Sequence, residues 1–192
     1  MHMLGLLPLV KEFRVRARPI YEKLSLNLFN CCILRQFSAL TNVQKLEIDC
    51  LDIPSFMPRI RRHFRHFLPT VRSLVLKEPM GSRRQIIYFI GLFQDLQDLG
   101  LLRDQSSFQA GDPTLTPVFR PPLRGRLQLV SFNNVDLLKD MIDLFEGIRF
   151  RHMELYDVPG MRRLLDACAE TLESVVLDPT DPVGEQLSLK GM

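Results

Sequence analysis

Apolar residues recur along the chain in the pattern apolar-x-x-apolar-x-apolar, where x is mostly polar. Six copies follow it: Val10-Phe13-Val15, Val43-Leu46-Ile48, Val71-Leu74-Leu76, Leu96-Leu99-Leu101, Phe150-Met153-Leu155 and Leu172-Val175-Leu177. A seventh copy, Leu127-Leu129, has Arg124 at its leading position. The last three positions of each copy place two apolar residues on one face, and in several copies the residue between them is polar, as in Leu46-Glu47-Ile48. Each copy therefore predicts a short strand with one buried face.

Segments with the apolar spacing of a helix lie between the predicted strands. They contain Phe56, Ile60, Phe64 and Phe67; Ile86, Ile87, Phe89, Ile90 and Phe93; Leu137, Leu138, Met141 and Phe145; and Met161, Leu164, Leu165 and Cys168. Strands that alternate with helices indicate an α/β fold in which parallel strands are joined by right-handed crossovers.

The middle apolar residues of successive copies stand 22 to 33 residues apart, which is typical of leucine-rich repeats. Such units bury their apolar faces only by stacking on their neighbours. We therefore predict an α/β, leucine-rich-repeat-like solenoid, a short horseshoe with parallel strands on the concave face and helices on the convex face. Residues 1–192 form a single degenerate domain of about seven repeats, and Leu187 with Leu189 fits an eighth.

Two segments break the repeat. Residues 103–122 contain four prolines and little helical periodicity, which predicts an irregular loop. Residues 19–42 are long for one crossover, and Leu24 to Leu28 fits either an additional strand or the start of a helix.

The composition is that of a globular domain, with 192 residues, 46% apolar and 24% charged. No apolar run approaches the ~20 residues that span a bilayer. The four cysteines show no disulfide spacing, and Asn-x-Ser/Thr sequons are absent. We therefore expect an intracellular protein, cytoplasmic or nuclear.

Sequence motifs for catalysis are nearly absent. The chain has no glycine-rich phosphate loop, no zinc-binding His-Glu-x-x-His and no Gly-x-Ser-x-Gly, so we expect no enzyme activity, no cofactor and no metal site. One arrangement fits a hydrolase: His152 and Ser174 occupy equivalent positions of neighbouring strands, with Glu154 two residues after His152. An open sheet is flooded by water and supplies no oxyanion hole, so a hydrolase is the least favoured hypothesis.

The densest basic stretch is 58–67, which contains Arg59, Arg61, Arg62 and Arg65. A helix there could bind an anionic surface, either nucleic acid or lipid headgroups. The apolar side of this helix is expected to pack on the sheet, so the favoured interpretation is a basic helix face that is simply exposed to water. Binding of nucleic acid or a membrane is the alternative function.

The polar positions of the strands form three rows across the predicted concave face. Their side chains are of mixed charge, which suits recognition of a protein better than of a small molecule. The candidate partner-binding residues are Arg14, Arg16, Lys45, Glu47, Asp49, Lys77, Arg126, Gln128, His152, Glu154 and Tyr156.

Several runs resemble the leucine-rich-repeat regions of fungal F-box-like proteins, among them "LTNVQKLEIDCLDIPSFMPRIRRHF", "LPTVRSLVLKEP" and "LLDACAETLESVVLDPTDP". The resemblance covers most of the chain from about residue 10 onwards. It implies a ubiquitin-ligase adaptor, in which an F-box docks on the ligase and the repeats recruit a target. The segment before the first predicted strand is shorter than the ~40 residues that an F-box needs. We therefore expect this chain to supply the target-recognition part.

Overall fold

The computed structural model describes residues 9–16, 40–50, 53, 68–104, 122–144 and 147–178. Seven strands in these residues form one sheet in which every neighbouring pair is parallel. They are β1 (Glu12–Arg16), β2 (Lys45–Asp49), β3 (Ser73–Lys77), β4 (Asp98–Asp104), β5 (Leu123–Phe132), β6 (Ile148–Tyr156) and β7 (Ser174–Asp178). Their order in the sheet is their order in the chain. The predicted α/β fold and its seven parallel strands are confirmed.

Within the described ranges three α-helices connect strands: α1 (Arg83–Ile90), α2 (Val135–Leu144) and α3 (Met161–Cys168). A 3-10 turn, Leu68–Thr70, precedes β3. Helix α1 begins with a capping box, because the Gln85 backbone N–H donates to Ser82 Oγ (3.3 Å) and the Ser82 N–H donates to Gln85 Oε1 (2.8 Å). These bonds fix the start of the helix that the apolar spacing predicted from Ile86 onwards.

The core lies between the sheet and the helices. Each central strand places alternate residues into it, such as Leu74 and Leu76 of β3, and both are at most 1% exposed. Helix residues such as Phe89 and Met141 belong to the same buried cluster. Burying a large apolar side chain contributes roughly 1.5–3 kcal/mol, so the repeated pairs supply most of the stability. The opposite side of the sheet, which carries the polar positions, is called the open face below.

Two boundaries differ from the sequence prediction. Arg103 and Asp104 end β4 instead of beginning a loop, and the remaining predicted loop residues before Pro122 lie outside the described part of the chain. In β5 the buried apolar residue is Leu123, one position before the exposed Arg124. The reason is a register shift between Gly125 and Arg126. The predictions for 19–39, 54–67 and 179–192 concern residues that the structure does not describe.

A left-handed backbone conformation follows the same strand position in five successive repeats. The five residues, all with φ between 47° and 54°, are Cys50, Glu78, Arg103, Ser131 and Asp157. The position bends the chain away from the sheet, and neighbouring repeats bond there, as when the Cys50 N–H donates to the Lys77 carbonyl (2.9 Å). None of the five is glycine, so each carries a conformational cost.

Candidate functional site

The three rows predicted from the sequence coincide with the observed strand register. The first row is Glu12, Lys45, Ser73, Asp98, Arg126, His152 and Ser174; the second is Arg14, Glu47, Val75, Gly100, Gln128, Glu154 and Val176; the third is Arg16, Asp49, Lys77, Leu102, Val130, Tyr156 and Asp178. The candidate partner-binding residues therefore share one face. They form two groups, on β1–β3 and on β5–β6, which β4 separates.

Glu47 is the centre of the first group. Its carboxylate is bound by the Arg14 guanidinium and by the Lys77 ammonium, each at 2.6 Å, and its side chain is only 8% exposed. Burial by itself raises the pKa of Glu47, but the two cations outweigh burial and hold that pKa below its ordinary value. The ion pairs link β1, β2 and β3 across the open face.

Asp49 and Cys50 form a second contact at the carboxyl end of β2. Arg16 Nε donates to Asp49 Oδ2 (2.7 Å). The Cys50 sulfur lies 3.1 Å from Glu78 Oε2 and 3.4 Å from Asp49 Oδ1, and these two carboxylates share its single proton as acceptors. Burial and the two carboxylates raise the pKa of Cys50 to about 12. Burial raises the pKa of Asp49, but Arg16 and the other partners lower it by more. The pKa of Asp49 is therefore below its ordinary value, and the carboxylate stays ionised at neutral pH. The thiol is therefore a hydrogen-bond donor at neutral pH. At the amino end of β2, Lys45 Nζ lies 3.8 Å from Glu12 Oε2.

Glu154 is the centre of the second group. The Arg126 guanidinium binds one oxygen of its carboxylate, and Gln128 Nε2 donates to the other (2.9 Å). Both partners come from β5, so the contact fixes three polar side chains on two neighbouring strands. The carboxylate that the sequence suggested as the orienting acid of His152 is thus bound by other residues.

His152 and Ser174 do lie next to each other, as the shared row predicted. His152 Nδ1 is 2.9 Å from Ser174 Oγ, and His152 Nε2 is 3.8 Å from Glu173 Oε2. The acid near the imidazole is therefore Glu173, beyond hydrogen-bond distance. Both the histidine and Glu173 are about half exposed, at 49% and 55%. The pair is an exposed polar contact in water, which is a poor environment for a serine nucleophile.

An apolar strip lies in the third row of the open face, next to Lys77 of the first group and to Gln128 and Glu154 of the second. Leu102, Val130 and Tyr156 are registered neighbours on β4, β5 and β6, and all three are partly exposed. Beside them Val75 pairs with Gly100, which has no side chain to cover the strip. A Cβ atom at Gly100 would lie 3.3 Å from the Val75 side chain, which is a crowded contact, so the Val75 side chain packs directly over Gly100. Apolar surface thus remains accessible within a polar frame.

A broad depression of about 1200 Å³ lies at the amino-terminal ends of β4–β7. We call it the amino-edge depression. Four arginines, one histidine and three carboxylates line it, together with amide and apolar side chains. The charged residues are Arg72, Arg124, Arg126, Arg151, His152, Asp95, Asp98 and Glu154.

The sequence pattern missed most of this depression. Arg72, Gln97 and Arg151 occupy the residue just before the first row, and their carbonyls accept N–H groups of the next repeat, at 2.7–2.9 Å to Asp98, Arg126 and Glu173. Strand alternation assigns such a residue to the core face, but the side chains of all three are exposed. The signal that could have found them is the regular occurrence of a polar residue directly after each leading apolar one.

No group of three His, Cys, Asp or Glu side chains in the described ranges could hold a metal ion. The basic stretch 58–67 of the alternative hypothesis lies outside those ranges. Within them, no helix is long and apolar enough to cross a bilayer. Comparison of the chain with protein-family models, curated proteins and solved structures gives no match in any of the three.

Proposed function

We propose that this chain is a non-enzymatic protein-recognition module that binds its partner on the open face. The observation that carries the proposal is the apolar strip of Leu102, Val130 and Tyr156, framed by two groups of ion-paired side chains. Protein interfaces combine an apolar or aromatic centre with a polar rim in this way. Tyr156 is the natural anchor, because tyrosine is enriched among the residues that dominate binding energy.

The polar rim is already ordered before a partner arrives. Glu47 is held by two cations, and Glu154 by Arg126 and Gln128. Side chains that are fixed in the free protein lose little conformational entropy on binding. Because these charges neutralise each other, they contribute specificity through their arrangement more than through net charge.

The repeat architecture supports a solenoid of the leucine-rich-repeat type. Each repeat adds one parallel strand next to the previous one. In five successive repeats the residue directly after the third row has a left-handed backbone conformation. Within the proposal, the strands line the binding surface of a short horseshoe. The resemblance to F-box-like proteins would then make the chain the target-recognition part of a ubiquitin ligase. No described residue is assigned to the ligase adaptor.

Affinity purification of the tagged full chain from its native cells, followed by mass spectrometry, tests the proposal when open-face variants are included. We expect Val130→Glu and Tyr156→Ala to lose a partner that the unaltered chain recovers. Arg163→Ala, an exposed position on α3, is the matched control and should retain it. Thermal denaturation of each variant checks that the fold persists.

The identity of the recovered proteins decides the finer assignment. Co-purification of a cullin and its adaptor supports a place in a ubiquitin ligase, whereas other proteins alone support a stand-alone module. If every recovered protein binds the folded open-face variants as well as the Arg163→Ala control, recognition by the open face is wrong.

A further inference from the structure

We propose that the amino-edge depression binds an anionic side chain, either a carboxylate or a phosphate ester, on a peptide segment of the protein partner. This inference rests on the proposed function, since it names the chemistry of that partner. It concerns a different part of the surface from the apolar strip, so the two can be tested separately.

Hydrogen-bond donors dominate the lining of the depression. Four arginine side chains, the amides of Gln94 and Gln97, the Ser174 hydroxyl and the His152 ring all face it. Carboxylate acceptors number three among the lining residues: Asp95, Asp98 and Glu154. Arginine forks match the paired oxygens of carboxylates and phosphates, which makes a surface of this kind suited to an oxyanion.

The distribution of ion pairs leaves two of the arginines available. Arg126 is bound to Glu154, and Arg151 lies 3.5 Å from Glu173. Arg72 and Arg124 are exposed and make no ion pair with any residue in the described part of the chain. They can therefore bind an incoming anion without breaking an existing contact, which lowers the cost of binding.

The carboxylates of the lining argue against a polyanion. Asp95 and Asp98 also have no cationic partner among the described residues, and they would repel the successive phosphates of a nucleic acid. Asp95 and Asp98 can accept hydrogen bonds from the backbone N–H groups or from a basic side chain of a peptide, next to the peptide's acidic residue. The lining is thus complementary to a segment of mixed charge.

The size and floor of the depression also fit a peptide rather than a free ion. About 1200 Å³ is far more than one phosphate fills, and the apolar side chains of Leu96 and Val176 contribute to the lining. Val176 is 47% exposed, so contact with a peptide would bury it. Gly125, which has no side chain, is also part of the lining.

Side-chain NMR of the full chain, labelled with ¹⁵N, tests the proposal. The probes are three short capped peptides that differ only in a central phosphoserine, glutamate or serine. We expect the Nε–Hε signals of Arg72 and Arg124 to shift on titration with the phosphoserine peptide, the glutamate peptide or both, and not with the serine peptide. Which anionic peptide binds identifies the source of the oxyanion.

Three variants that each remove one positive charge distinguish binding at this site from a general effect of the protein's net charge. Arg72→Gln and Arg124→Gln should each weaken binding of the anionic peptide about tenfold, the usual effect of one charge-assisted hydrogen bond. Arg84→Gln, an exposed position on α1 on the other side of the sheet, should leave the affinity unchanged. All three sites are on the surface, and their backbone NMR spectra verify the fold.

Equal binding of all three peptides, equal weakening by Arg84→Gln, or equally tight binding of inorganic phosphate or a single-stranded oligonucleotide would each overturn the proposal. Failure of the proposed function gives a different result, because the folded Val130→Glu and Tyr156→Ala variants then keep every cellular partner. If Val130→Glu loses the cellular partner while Arg72→Gln retains it and no peptide binds, recognition by the open face stands and the anion site is wrong.

Discussion

A Cβ atom on Gly125 would lie 2.0 Å from the carbonyl oxygen of Gln97 on the neighbouring repeat. Gly125 has a φ of +87°, and the same Gln97 carbonyl accepts the Arg126 N–H at 2.7 Å. The two backbones approach each other at the residue where the register of β5 on β6 shifts. Both residues line the amino-edge depression.

We expect Gly125→Ala to lower the free energy of unfolding by about 3 kcal/mol, since a backbone atom cannot move aside as a flexible side chain can. Gly147→Ala is the matched control, because Gly147 has a similar φ of +89° and nothing within 4 Å of the added Cβ. It should lose only the conformational cost of about 1 kcal/mol. Denaturant unfolding measures both, and equal losses would show that the Gln97 contact is not the cause.

The ion pairs of Glu47 predict acid sensitivity. Its pKa in the folded protein lies below the ordinary 4.5, so the carboxylate contributes stability above that value. The contribution is lost as the pH falls from about 4.5 through the lower pKa of the folded state. We expect Glu47→Gln to cost about 1–2 kcal/mol at neutral pH and to lose less stability than the unaltered chain on acidification.

Denaturant unfolding between neutral pH and pH 3 gives both quantities. Glu170→Gln serves as the control, because Glu170 is exposed and makes no ion pair among the described residues. It should follow the pH dependence of the unaltered chain. A parallel pH dependence for Glu47→Gln would mean that Arg14 and Lys77 do not stabilise the charged form.

The left-handed residues at the strand ends predict a stabilising substitution. Arg103 has a φ of 54° and its side chain is exposed, with no ion pair in the described part of the chain. Glycine adopts this conformation freely, although it also adds entropy to the unfolded chain. We expect Arg103→Gly to raise the free energy of unfolding by about 0.5–1 kcal/mol.

Arg149→Gly is the control for that substitution. Arg149 is exposed within β6 and does not have a positive φ, so glycine there should destabilise by about 0.5–1 kcal/mol. Thermal or denaturant unfolding distinguishes a gain from a loss. If both variants are destabilised alike, the left-handed positions carry no removable strain.

The sequence predicted the repeat and the open-face rows because apolar residues recur at the same two core positions of every strand. In Leu46-Glu47-Ile48, for example, two core residues flank one polar residue, and the register of all seven strands follows from that pattern. The pattern did not predict the contacts between side chains of different rows. Glu47 and Lys77 are neighbours by register only diagonally, and the choice of Arg126 over His152 as the partner of Glu154 depends on side-chain reach.

The amino-edge depression was less predictable for a different reason. Its key residues are Arg72, which precedes β3, and Arg124, which precedes the register shift in β5. A period-2 pattern describes regular strand and fails where the strand has not begun or its register shifts. The copy at Leu127 already showed the irregularity, since Arg124 occupies a position that is apolar elsewhere.

The raised pKa of Cys50 predicts that its thiol reacts slowly with alkylating reagents. A pKa of about 12 leaves almost no thiolate at pH 8, so alkylation by iodoacetamide should be roughly a hundredfold or more slower than for an ordinary cysteine. Glu78→Gln removes one of the carboxylates that keep the proton on sulfur, and it should accelerate alkylation about tenfold. Mass spectrometry of the Cys50 peptide measures the rate. Asp95→Asn, a distant exposed change of the same charge, should have no effect; comparable acceleration there would contradict the local role of Glu78.

The contact between His152 and Ser174 has the composition of a hydrolase site. A serine nucleophile requires a base held by an acid and a group that stabilises the oxyanion. Here Glu154 is bound by Arg126 and Gln128, and the pair is exposed to water. We expect a fluorophosphonate probe to leave Ser174 unlabelled in the folded chain, with denatured chain as the background control. Labelling of Ser174 that disappears in His152→Ala, while Glu170→Gln retains it, would contradict the non-enzymatic proposal and assign a nucleophile to the open face.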